Sequence, residues 1–115
     1  MSEREPRLII IDILNAVNDI LEFTANMEFE AFRLDKKTVA ACERNFEIMG
    51  EASKQLPESF IQNHHEMEWH KMVSFRNLII HEYFRLELQI EWNIIIDFLP
   101  KLKEKLEVLL KELIK

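Results

Sequence analysis

The sequence predicts an all-α protein, an up-and-down bundle of four to five helices, and three observations carry that prediction. A single glycine and three prolines in 115 residues leave little material for tight turns. Charged residues make up 31% of the chain and are mostly Glu and Lys, which favour long helices over strands. Apolar residues, 48% of the total, return at alternating steps of four and three, the spacing of one helical face. Length and apolar share suit one domain over residues 1–115 with a single core.

In chain order, the first helix is expected from Pro6 to Thr24, with Pro6 suited to its first turn. Ile10, Leu14, Val17 and Leu21 form its inward stripe, while Asp12, Asn15, Asp19 and Glu22 fall largely opposite. Asp35 can cap a second helix reaching Leu56, striped by Val39, Cys42, Phe46, Met49, Ser53 and Leu56. Gly50 sits inside it at a cost of roughly 1 kcal/mol relative to Ala, and close approach of a neighbouring helix is the expected compensation. Pro57 breaks the pattern and opens a short third helix, Glu58–Asn63. A fourth helix covers Met67 to Ile80 or slightly beyond. The last begins near Leu86 and runs to the C-terminus, with Ile95, Leu99, Leu102, Leu106, Leu109 and Leu113 on one stripe. Pro100 should kink this long helix or split it in two. The stripe is expected as core, with a dimer seam as the alternative.

The longest apolar runs, such as Leu8–Ile11 and Ile94–Ile96, are short and flanked by charge, so no membrane span is expected. Met1-Ser2-Glu3-Arg4-Glu5-Pro6 does not lead into a signal-type apolar segment, which argues against export. Cys42, the single cysteine, permits no internal disulfide and fits a reducing, cytoplasmic compartment, where it reads as a small buried apolar residue. The net charge of −6 argues against coating nucleic acid by bulk attraction. It leaves room for an enzyme that meets one phosphate in a local basic pocket, or for a basic protein partner.

Chemistry concentrates in Arg76-Asn77-Leu78-Ile79-Ile80-His81-Glu82-Tyr83, flanked by Trp69 and Trp92. An isolated Arg-x4-His match carries little weight; an Arg, an Asn, a His and a Tyr within eight residues carry more. Arg presents a permanently charged fork that matches phosphate oxygens, and His transfers protons near neutrality. RNA supplies its own nucleophile, the 2′-hydroxyl, so a phosphate clamp and a proton shuttle suffice, with no metal or cofactor. Asn77 and His81 share one helical face, where the amide could orient the imidazole or a phosphate oxygen. Arg76 and His81, however, point about 140° apart on an ideal helix. Convergence needs the helix to end or bend near His81, or a second copy of the segment. The plainer reading pairs Arg76 with a Glu on the next helix and makes His81 a hydrogen-bonded core histidine.

Other clusters read as structural. Glu66–His70 and His64–Glu68, with His65 between them, have the spacing of paired metal ligands, but no second ligand-rich helix completes a shell. A solvated helix entrance is preferred there. Met27, Met49, Met67 and Met72 are expected as core filler. The locally basic Lys101-Leu102-Lys103-Glu104-Lys105 could face RNA or a partner, although a solvated helix face is favoured.

The run Phe75 to Phe84 resembles the signature of the HepT-like toxins, once called domain of unknown function 86, of the HEPN superfamily. The resemblance extends over nearly the whole chain, through Phe29-Glu30-Ala31-Phe32 with Asp35, Met49-Gly50-Glu51-Ala52, Trp69, Trp92 and Leu99-Pro100-Lys101-Leu102. One departure is visible: where family members often carry a proline shortly before the tryptophan, this chain has His64-His65-Glu66-Met67-Glu68.

The resemblance implies a HEPN-type helical bundle, usually homodimeric, with the Arg-x4-His-x-Tyr residues of two subunits near a shared cleft. It implies a metal-independent ribonuclease, the toxin of a type VII-like toxin–antitoxin pair, whose antitoxin is a minimal nucleotidyltransferase. Carried over residue by residue, Arg76 and His81 are catalytic and Asn77 supports them. Tyr83 is the tyrosine to which the antitoxin attaches AMP, blocking the cleft by bulk and charge. The competing reading is a non-catalytic helical module that holds a nucleotide or docks the transferase.

Overall fold

The computed structural model describes residues 4–81, His81 by its backbone alone, and residues 87–114. Every regular element among them is helical. They are α1 (Pro6–Phe23), α2 (Phe29–Leu34), α3 (Lys36–Lys54), α4 (Glu58–Asn63), a 3-10 turn (His65–Met67), α5 (Trp69–His81), α6 (Leu88–Asn93), a π-helix (Ile94–Phe98) and α7 (Leu99–Ile114). The all-α expectation holds, whereas the expected four to five helices become seven α-helical segments among the described residues. One extra segment is α2, too short to show a period, and the other arises because the C-terminal helical region is divided.

That division lies beside Pro100. Proline has no N–H to give to the turn before it, and immediately upstream the ladder widens to π spacing, with the Leu99 N–H bonded to the Ile94 carbonyl. Pro100 itself lies within α7, and what the described residues show upstream of it is a change of helical winding from Ile94 to Phe98.

α1 packs mainly on α3 and α7, and α3 packs on both α1 and α5. Because α1 is covered on two sides, its buried band is Ile9, Ile10, Ile13, Ala16, Val17 and Ile20, wider than the expected stripe. Leu14 and Leu21 are only partly buried at its edge. Leu99, Leu102, Leu106 and Leu109 are buried, so the C-terminal stripe belongs to the core. Met49, Met67 and Met72 are buried with them, and Met27 packs against the same cluster.

Asp35 caps α3 as its sequence position suggests: its carboxylate accepts from the Thr38 N–H at 3.1 Å and from the Thr38 hydroxyl at 2.8 Å. Those bonds hold the Asp35 carboxyl below its ordinary pKa, the backbone bond contributing most. α2 is anchored by Phe32, fully buried with its ring centroid 5.0 Å from that of Trp92 on α6. Beside this contact two acidic residues leave solvent together, Glu91 of α6 at 0% exposure and Glu43 of α3 at 6%. Burial pushes the Glu91 carboxyl well above the usual carboxylate range, and the hydrogen bond and like charge of Glu43 push it further.

Where the chain departs from the family pattern, His65–Met67 form a 3-10 turn, and Glu68 adopts a left-handed conformation (φ 54°) just before α5. His64 stacks on Phe60 with ring centroids 4.5 Å apart, and its Nδ1 lies 3.8 Å from Glu66 Oε1. Among the described residues no group of three or more His, Cys, Asp or Glu is arranged to hold a metal ion. No helix among them is long and apolar enough to cross a membrane.

Candidate active site

The site is built where α3 crosses α5. Gly50 permits the crossing: a Cβ added there would stand 2.2 Å from Arg76 Cβ, 2.8 Å from Arg76 Cγ and 2.9 Å from the Met72 carbonyl oxygen. Only a residue without a side chain lets the stem of Arg76 lie flat on α3 at this point. The close approach expected to compensate for Gly50 is therefore made by Arg76 itself.

The next residue on α3, Glu51, then meets the guanidinium. Arg76 Nε donates to Glu51 Oε1 at 3.0 Å and Arg76 Nη2 donates to the same oxygen at 2.5 Å. Arg76 Nη1 donates to Asn77 Oδ1 at 2.7 Å. The Arg76 side chain is 16% exposed and that of Glu51 49%, so the arginine is largely covered and its carboxylate partner is about half open. An arginine carries five N–H donors, and these bonds engage three of them. Among the described residues one N–H on each terminal nitrogen is left, and guanidinium N–H groups pair well with phosphate oxygens.

Of the sequence candidates, the structure brings Arg76 and Asn77 together, the amide oxygen steadying the guanidinium. His81 lies on α5, five positions beyond Arg76, and its side chain is outside the described residues. Tyr83 is outside the described residues altogether. Glu51 was not among the site candidates, although Gly50-Glu51 stands in the stretch that carries the family resemblance. The plainer reading pairs Arg76 with a Glu on the next helix; the Glu that it meets, Glu51, lies on the earlier helix α3. With the Asn77 bond, this pairing leaves one N–H on each terminal nitrogen of the guanidinium unused among the described residues.

A separate cavity of about 540 Å³ lies between α3, α5, α6 and the π-helix, floored by Phe46, Met49, Phe75, Leu78 and Phe98. Neither Arg76, Asn77 nor Glu51 lines it. On α7, Lys101 and Lys105 are solvent-facing, and Lys105 Nζ donates to the Glu66 carbonyl oxygen at 3.2 Å.

An all-helical chain with an arginine fork held at a helix crossing defines a class, and comparison with known proteins gives the family. The profile described as Ribonuclease HepT-like matches residues 13–109, and the chain belongs to that family. A protein of Methanocaldococcus jannaschii provisionally named an RNase is 37% identical over 113 residues, covering 98% of this chain and 93% of its own length. One from Thermococcus cleftensis, named a probable ribonuclease HepT, is 42% identical over 100 residues, covering 87% of this chain and 91% of its own. A third, from Caldanaerobacter subterraneus subsp. tengcongensis and also provisionally named an RNase, is 34% identical over 110 residues, covering 95% and 98% respectively. No solved structure matches the chain.

Proposed function

We propose that this chain, as one domain over residues 1–115, is a metal-independent endoribonuclease acting as the toxin of a type VII-like toxin–antitoxin pair in the cytoplasm. The observation that carries this reading is the Arg76 guanidinium, held by Glu51 and Asn77 with one N–H on each terminal nitrogen left over among the described residues. Membership of the HepT-like family supports it.

In the proposed reaction the 2′-oxygen of RNA attacks the adjacent phosphorus and the P–O5′ bond breaks, leaving a cyclic phosphate and a 5′-hydroxyl. Arg76 neutralises the charge that gathers on the non-bridging oxygens. His81 takes the proton from the 2′-hydroxyl and gives it to the departing 5′-oxygen, so that no proton is gained or lost overall. Asn77 keeps the guanidinium oriented. Two copies of the chain form a homodimer in which both Arg-x4-His segments border one cleft. A minimal nucleotidyltransferase antitoxin silences the toxin by attaching AMP to Tyr83.

Replacing Arg76 or His81 by Ala tests the reading: both variants should keep their helical circular dichroism and lose RNA turnover. The Glu51 contact favours a second reading, since an arginine already neutralised by a carboxylate can serve a non-catalytic module that binds a nucleotide or docks the transferase. Undiminished turnover in both folded variants would move the assignment to that module.

A further inference from the structure

We infer that Glu51 is a positioning residue of this site: it fixes the Arg76 guanidinium for phosphate at some expense in RNA affinity. The inference rests on the ribonuclease reading and adds to it a residue on a different helix.

A free arginine side chain holds rotamer entropy that is lost when it grips a ligand. Here that loss is taken during folding. The aliphatic stem is pinned against Gly50, where no Cβ fits. The head is pinned by one carboxylate oxygen that accepts from both Nε and Nη2, at 3.0 Å and 2.5 Å. Asn77 supplies the last restraint through Nη1 at 2.7 Å. Among the described residues these bonds leave one N–H on each terminal nitrogen. The planar fork is thus aimed before any phosphate arrives.

Glu51 is more than a scaffold contact because of its charge and exposure. Its side chain is 49% exposed, so little stability rests on the ion pair. It also places a negative charge beside the proposed phosphate position, which weakens the attraction of Arg76 for RNA. Positioning and repulsion act on different kinetic constants. Orientation of the guanidinium matters most in the transition state and appears in kcat, while repulsion acts on bound RNA and appears in KM.

The experiment measures kcat and KM for wild type, Arg76→Ala, Glu51→Ala, Glu51→Asp and Glu51→Gln on a mixed-sequence RNA oligonucleotide carrying a fluorophore and quencher. Glu51→Ala should lower kcat about 10- to 100-fold without raising KM, the cost of a misplaced catalytic group. Glu51→Asp keeps the charge but falls one methylene short, and should lose kcat in the same way. It carries the test if the Ala variant does not fold. Glu51→Gln keeps the acceptor oxygen without the charge, and should recover most of kcat with a lower KM. If Arg76→Ala abolishes cleavage while Glu51→Ala and Glu51→Asp turn over like wild type, the positioning role is overturned and the ribonuclease reading stands. A raised KM at unchanged kcat in those variants overturns it equally. If wild type does not cut, or Arg76→Ala cuts as well as wild type, the underlying ribonuclease reading fails instead.

Discussion

Gly50 and Arg76 are in such close contact that a Cβ on the glycine would lie 2.2 Å from the Cβ of the arginine. One residue thereby links the packing of two helices to the placement of the Arg76 side chain. Gly50→Ala should destabilise the protein. The gain in helix propensity, about 1 kcal/mol, is outweighed by overpacking that costs about 1–3 kcal/mol or more, because the Met72 backbone oxygen also stands in the way at 2.9 Å. Urea unfolding with an unchanged m-value and a lower midpoint is the expected result; a higher midpoint would show that α3 and α5 separate freely.

Glu91 gives a pH prediction with a definite sign. Its folded-state pKa is raised by burial and by Glu43, so the folded chain holds a proton that the unfolded chain releases. The stability this contributes is complete below the unfolded value, about 4.3, and is lost as pH rises through the folded value. Wild type should therefore lose melting temperature between about pH 5 and about pH 8 more steeply than Glu91→Gln, whose amide does not titrate. Parallel curves for the two proteins would contradict a buried, protonated Glu91.

Cys42 should be inert in the folded chain. It is 0% exposed, and burial, with the negative charges of Glu91, Glu43 and Asp35, pushes its thiol up to about 12. The thiolate is the reactive form, so labelling by an aromatic disulfide at neutral pH should proceed only as fast as the protein opens. Labelling complete within mixing time would place Cys42 at the surface.

Tyr83 should accept a single AMP when the chain is incubated with its cognate nucleotidyltransferase and ATP, and RNA turnover should fall in proportion to modification. Tyr83→Phe should accept none. Peptide mass spectrometry locates the adduct, and an equal adduct on Tyr83→Phe would remove the tyrosine from the proposed mechanism.

How far the fold could be read from sequence depended on the range of the signal. Asp35 as a cap, Pro57 as a breaker and the leucines of α7 are local or periodic features, and each is found where expected. α2 was missed because six residues cannot show a period; what holds it is Phe32 against Trp92, sixty positions away. The α1 stripe was drawn too narrow because periodicity reveals one covered face and α1 has two, toward α3 and α7. The burial of Glu43 and Glu91 had no counterpart in the sequence, since nothing in a helical pattern shows that two carboxyls will be buried beside one another. At the site, Arg76 and Asn77 stood out by chemistry and adjacency. Glu51 did not, because its bond to Arg76 spans 25 residues and no spacing rule joins α3 to α5. Gly50 came nearest to revealing it: a lone glycine in a helix interior marks a close crossing, and its neighbour is then placed to meet whatever crosses.

The most direct measurement is cleavage of a mixed RNA substrate in excess EDTA, comparing wild type with His81→Ala. Cleavage by wild type alone is the predicted result and would establish metal-independent chemistry through His81. Equal cleavage by the two proteins would remove His81 from the mechanism. Intact RNA with both, when each is folded, would contradict the ribonuclease assignment and leave Arg76 as part of a binding surface.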